Sequence, residues 1–125
     1  LPLAEYGYTY EIDTENLGLT VHYKISKEEI TEALYLEKAL IYNTVSTFVL
    51  TDNTTYIALD IGGKMYRVER NNIENNYPNY NEIVTYNVVN NVTNKVINKE
   101  NFNKYVEEKL KDEEFVKTIY KKIFE

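Results

Sequence analysis

The sequence has no cysteine and no tryptophan, a single methionine, a single histidine, two prolines and four glycines in 125 residues. Without cysteine there can be neither a disulfide framework nor a thiolate metal site. A lone His22 excludes a cluster of histidines around a metal, so neither a metal nor any other cofactor is expected. No Gly-x-Ser-x-Gly elbow and no phosphate-binding glycine loop occurs, which removes two common routes to catalysis. No apolar run is long enough to span a bilayer and no signal peptide is evident.

What is present is the composition of an ordinary soluble globule, 43% hydrophobic and 27% charged, long enough to bury a core as one domain over residues 1–125. The formal charge of -6 is unevenly spread. Up to Glu37 the chain holds Glu5, Glu11, Asp13, Glu15, Glu28, Glu29, Glu32 and Glu37 against Lys24 and Lys27. Such an acidic front half argues against nucleic acid and against direct adhesion to anionic lipid. The heavy use of Asn, Lys, Ile and Tyr resembles the codon bias of a low-GC bacterium. The chain opens at Leu1, so an upstream piece (a signal, an anchor or part of the domain) is expected to have been removed.

Alternation writes the first two strands. Tyr6, Tyr8, Tyr10 and Ile12 share one face, and Leu17, Leu19, Val21, Tyr23 and Ile25 share another, with Asp13 to Asn16 between them as a hairpin loop. From Ser26 to Asn53 the pattern changes to a helical one. At about 100° per residue, Ile30, Leu34, Ile41, Thr44 and Phe48 form an apolar spine with Glu37 at its centre. Ser26 with Glu29 reads as a capping box. The β-branched half of this segment keeps the helical phase, which predicts helix there against local propensity.

A second hairpin is expected from Tyr56–Ile61, a Gly62-Gly63 turn and a return strand through Tyr66 and Val68. A short helix from Asn72 to Tyr77 should stop before Pro78. Glu82–Val89 reads as a strand and Asn90–Asn98 as a loop. The tail from Lys99 to Phe124 reads as helix broken near Asp112, with Phe102, Val106, Leu110, Phe115, Ile119 and Ile123 facing inward. The expected fold is therefore α+β in two layers: an antiparallel sheet of at least four strands, in two hairpins, packed on one long helix, with C-terminal helices.

Several of these positions together resemble a bacterial family. Leu1-Pro2-Leu3, the hairpin reaching Gly18-Leu19-Thr20-Val21, Asn43 to Phe48, Leu50 to Asn53, Tyr66 and the stretch from Arg70 to Tyr77 are similar to domain of unknown function 4825. The short polar stretch that usually precedes Leu-Pro-Leu there is missing. The resemblance implies a small domain displayed outside the membrane of Gram-positive bacteria, on a single-pass anchor or a lipoprotein, in some relatives attached to sensor-type metallopeptidases. It implies no activity.

The residues themselves offer a few candidates. Glu37, if buried in the spine, is a general base with a raised pKa, an acid paired with Arg67, Arg70 or a Tyr hydroxyl, or an acid over a gap that reaches water. An isolated carboxylate is no mechanism, since hydrolysis by paired acids needs a second one at roughly 5–10 Å. His22 should face outward and pair across the hairpin with Glu11 or Thr9. Arg67, Arg70, Glu74 and Tyr77 form a tentative binding rim, or else a local Arg70–Glu74 pair at i, i+4. Tyr6, Tyr8 and Tyr10 are core if the helix covers their side of the sheet and a partner surface if it does not. The leading expectation is a non-enzymatic extracellular module, anchored at the cell surface, that senses or binds a protein, peptide or cell-wall partner. The alternatives are a small hydrolase using Glu37 or His22 and a structural or assembly domain.

Overall fold

The computed structural model describes residues 1–125. Strands β1 (Tyr8–Asp13), β2 (Gly18–Tyr23), β3 (Tyr56–Ile61) and β4 (Lys64–Glu69) form one sheet in the order β1-β2-β3-β4. Both expected hairpins are present as antiparallel pairs, and Gly62 and Gly63 turn the second with φ of 60° and 90°. The hairpins join differently from the expected all-antiparallel sheet. β2 and β3 run parallel, with Val21 beside Leu59. A parallel pair needs a crossover, and helix α1 (Tyr35–Leu50) supplies it.

That crossover explains why the helix is shorter than its sequence pattern. Six-residue strands span about 20 Å, whereas a helix from Ser26 to Asn53 would extend about 42 Å. The observed α1 has 16 residues, or about 24 Å, which matches the sheet. Residues 24–34 instead carry the chain back to the start of the helix. Ser26 precedes only a 3-10 turn at Lys27–Glu29 and makes no side-chain cap, and Leu34 takes a left-handed φ of 62° at the entrance to α1.

The helix is also buried more widely than a single spine would require. Leu36, Ala39, Leu40, Ile41, Asn43, Thr44, Val45, Ser46, Phe48 and Val49 are all buried, so α1 is covered on most of its circumference. On one side lie Val21, Ile57, Leu59 and Val68 of the sheet; on the others lie Ile73, Ile83, Val106, Val116 and Ile119. Leu3 joins this same core at 0% exposure, so both ends of the chain contribute to it.

The C-terminal half holds two further departures. Helix α2 (Arg70–Asn76) ends at Tyr77, whose extended ψ of 122° is the conformation that Pro78 favours in its predecessor. A helical turn, α3 (Tyr80–Ile83), then leads into β5 (Val84–Val89) and β6 (Val92–Ile97), a separate two-stranded sheet. The expected loop at Asn90–Asn98 is thus mostly strand. Only Asn90 and Asn91 turn, with φ of 51° and 65°, because Asn accepts the left-handed region more readily than most residues. After α4 (Lys99–Phe102), a π-type turn and a 3-10 turn, α5 (Glu113–Phe124) begins at the expected break. Asp112 caps it by accepting from the Glu114 N–H at 3.0 Å. Of the residues expected inward, Val106, Leu110, Ile119 and Ile123 are buried, while Phe102 and Phe115 pack half-buried against them.

One side chain closes the far end of α1. The last carbonyls of a helix have no partner within it. Arg70 donates to the carbonyls of Phe48 at 2.9 Å, Thr51 at 2.8 Å and Thr54 at 2.6 Å, and to the Thr51 hydroxyl at 3.0 Å. Lys95 on β6 adds a bond to the Thr51 carbonyl at 2.8 Å. Replacing Arg70 by alanine should lower the unfolding free energy by about 3 kcal/mol, read as a shift in denaturant midpoint. Arg70→Lys should recover about 1 kcal/mol of that, because one ammonium cannot reproduce a planar fork.

Candidate functional site

The width of α1 decides where a ligand could sit. The helix packs on β3 beside β2, α5 covers β4, and β1 extends past both helices. Tyr8, Tyr10 and Ile12 point to the same side of the sheet as the core, yet are 51%, 61% and 66% exposed. The tyrosine strip is therefore a solvent-facing surface, the second of its two sequence readings. Between it and the helix runs a groove of about 370 Å³, walled by Tyr8, Tyr10, Val21, Tyr23 and Ile57, with Asn43 and Thr47 of α1 on its far side.

The groove is apolar with a small polar seat. Asn43, 1% exposed, donates through Nδ2 to the Pro2 carbonyl at 2.8 Å and to the Tyr23 hydroxyl oxygen at 3.1 Å. Its Oδ1 is buried and receives no hydrogen bond. The Tyr23 hydroxyl, whose pKa burial pushes up, keeps its proton available for donation. Apolar walls with a few convergent polar atoms are the usual make-up of a ligand site.

The opposite, open face of the same hairpin carries a line of charge. His22 Nδ1 lies 2.6 Å from Asp60 Oδ2, and Nε2 lies 3.5 Å from Glu11 Oε2. Asp60 is held by its other oxygen, which accepts the Gly63 N–H at 2.9 Å. The Glu11 contact was legible from the hairpin; the Asp60 contact was not, because it needs the parallel β2–β3 register that places Asp60 beside His22. The two carboxylates stand at opposite ring nitrogens, so their oxygens do not converge on a common point. Beside them the Tyr56 ring covers Gly18, where a Cβ would come within 2.0 Å of it, and the Arg67 guanidinium lies 3.7 Å from its centre.

The tentative rim of Arg67, Arg70, Glu74 and Tyr77 is not brought together as one surface. Arg67 sits on the open face with Glu69 at 3.0 Å. Arg70 is committed to the α1 carbonyls, so the expected i, i+4 pair with Glu74 does not form. Arg70 and Glu74 do border a shared polar concavity with Glu69 and Asp52. Tyr77 is 3% exposed and donates to the Tyr105 carbonyl at 2.7 Å, and burial pushes its hydroxyl pKa well up.

Glu37 is half-buried rather than enclosed. It falls in the first turn of α1, where the helix N-terminus favours a negative charge. It has no ion pair or hydrogen bond to a cation or hydroxyl, contrary to the paired reading. It lines a concavity of about 570 Å³ with Lys27, Lys64, Arg67, Tyr120 and Glu125. The groove beside β1 was the feature that sequence reasoning left undecided: the alternation identified its wall, but only the position of α1 shows that the wall is uncovered.

The fold defines a small α+β domain in which a helical crossover joins two hairpins into a mixed four-stranded sheet. The chain belongs to the family described as domain of unknown function DUF4825, whose family model matches residues 1–71. No curated protein and no solved structure matches it. The matched segment contains β1 to β4, α1, Arg70 and the whole β1 groove.

The paired carboxylates make stability depend on pH. Hydrogen bonding to Asp60 and then to Glu11 raises the His22 pKa above 6.5. A raised folded-state value means that this contribution is complete below the unfolded pKa and is lost as pH rises through the folded one. The denaturant midpoint should accordingly fall as pH climbs from about 6.5, and His22→Gln should flatten that part of the profile. A wild-type midpoint constant across neutral pH would mean that the ion pairs do not persist in solution.

Proposed function

We propose that this chain is a non-enzymatic interaction or sensing module that works outside the membrane, anchored at a Gram-positive cell surface, and that it seats a protein or peptide partner in the groove beside β1. The observation that carries the reading is the uncovered Tyr8–Tyr10 strip over an apolar groove that Asn43 and Thr47 of α1 close on the far side. A contiguous exposed apolar face commonly marks an interaction site. The family resemblance supports the extracytoplasmic setting, and the acidic front half favours a partner other than nucleic acid or anionic lipid. No helix of the chain is long and apolar enough to cross a membrane, so membrane association would come from an anchor outside these residues.

A photo-crosslinking side chain at position 10 should capture a discrete surface component from a low-GC Gram-positive cell, whereas the same group at exposed position 118 on α5 should not. Equal capture from both positions, or none from position 10, would sink the groove as the binding site.

The concavity around Glu37 favours a second reading, a small hydrolase. Glu125 supplies a second carboxylate to its lining and Tyr120 a hydroxyl, the group types that acid–base hydrolysis uses. Turnover of a panel of fluorogenic esters, amides and glycosides, lost in Glu37→Gln, would establish this reading. The interaction module predicts no turnover by either form.

A further inference from the structure

We infer that β1 accepts an extended, basic and apolar segment of another protein as a fifth strand of the sheet, with alternate side chains of that segment resting in the groove. This deepens the interaction reading above and rests on it. The backbone supplies the first argument. Gly7 accepts at its carbonyl from the Lys24 N–H at 3.0 Å, one step before the register that sets Tyr8 opposite Tyr23. Opposed residues in an antiparallel ladder alternate between exchanging both bonds and exchanging none. Thr9, Glu11 and Asp13 therefore bond to β2, and Tyr8, Tyr10 and Ile12 turn their N–H and C=O groups away from the sheet. No strand lies on that side.

The edge is guarded only by acids. Proteins usually blunt a free edge with lysine, proline, a bulge or a very short strand. β1 pairs through six consecutive residues without a bulge and contains neither lysine nor proline. The other edge strand, β4, carries Lys64, Arg67 and Glu69. The residues with outward backbone groups are the same ones whose side chains overhang the core, and Tyr8 and Tyr10 wall the groove. Strand addition uses both elements together: main-chain bonds for affinity and alternate side-chain seats for selection.

Charge selects the occupant. Residues 1–23 carry Glu5, Glu11, Asp13 and Glu15 and no lysine or arginine. A second copy of β1 pairing across the edge would bring the same acids against them, and like charges oppose pairing. A lysine- or arginine-bearing segment complements them.

The test is an anisotropy titration of the intact chain with a labelled eight-residue peptide alternating lysine and valine. Saturable binding is expected, weakening roughly tenfold between about 0.05 and 0.3 M salt, with no binding of the glutamate–valine counterpart. N-methylation of every second amide of the peptide should weaken binding by about tenfold. Ile12→Pro should do the same, because it removes an outward N–H that the β1–β2 ladder does not use, whereas Ile12→Ala should cost less than about threefold. Circular dichroism and thermal unfolding verify that the variants fold. In the unmodified chain, peptide should slow amide exchange at Tyr8, Tyr10 and Ile12. Binding abolished by Tyr10→Asp but indifferent to N-methylation and to Ile12→Pro overturns strand addition and leaves the groove reading standing. Binding unaffected by any of the three β1 changes overturns both. Absence of binding, or a concentration-dependent mass of the free domain that Ile12→Pro abolishes, overturns the proposal, the latter in favour of a second copy.

Discussion

The guanidinium of Arg70 holds together parts of the chain that otherwise have little reason to meet. It faces the carbonyls of Phe48, Thr51 and Thr54, so it binds the last turn of α1 and the loop that leads into β3. Its own backbone N–H donates to the Thr55 carbonyl at 2.7 Å, and the Thr55 N–H donates to Leu17 at 2.8 Å. A single residue at the start of α2 thus ties the end of the crossover helix to the β1–β2 loop and to the exit from β4. The carbonyl end of a helix carries partial negative charge, which makes a fixed cation with several donors a suitable terminator. Lys95 reaches the same carbonyl from β6 and extends the joint into the second sheet.

Much of the architecture depends on where that joint stops the helix. α1 ends at Leu50, and the five residues that follow bring the chain to the start of β3, alongside Gly18 of β2. The helix so placed lies over the parallel pair, α5 covers β4, and β1 is left without cover. The same alternation that buries Val21 and half-buries Leu19 therefore exposes Tyr10 and Ile12 one strand further out. The groove is not a cavity carved into the core; it is the margin where a sheet is one strand wider than the helices upon it. Its apolar character follows from the two-residue period of the strand rather than from any special local composition.

The sequence made the elements legible wherever periodicity was strong and local. Both hairpins, the Gly62-Gly63 turn, the Asp112 break and the helical phase through Thr44, Val45 and Phe48 could all be read from neighbours a few residues apart. Relations between distant segments could not. The spine from Ile30 through Leu34 continued the helical pattern, but the length of the strands and the left-handed Leu34 set the true start at Tyr35. The parallel join of β2 to β3 was invisible because each hairpin taken alone is antiparallel, and with it the Asp60 partner of His22 was lost from view. β6 was missed because its Asn-rich turn and Thr-Asn-Lys run look like loop; Ile97, packed against the core, is what anchors it. Arg70 takes a partner other than the one its spacing suggests. Four residues from Glu74 it suggested an ion pair, yet the unsatisfied helix carbonyls offered a deeper set of acceptors.

The two faces of the β1–β2 hairpin place different demands on any partner. The open face satisfies its own charges, with His22 between Glu11 and Asp60 and Arg67 over Tyr56; little there is left unpaired. The groove face has aromatic rings in water, and beside it backbone groups with no strand to bond. Burial of exposed apolar area and satisfaction of idle polar groups are the terms that favour association, and of the two faces of this hairpin the groove face offers both. The family match, residues 1–71, includes every residue of the groove and the Arg70 joint that positions it. Residues beyond the match, such as Val106, Val116 and Ile119, cover the far side of α1. They complete the core without touching the groove, so the groove is built wholly from the part of the chain that the family model matches.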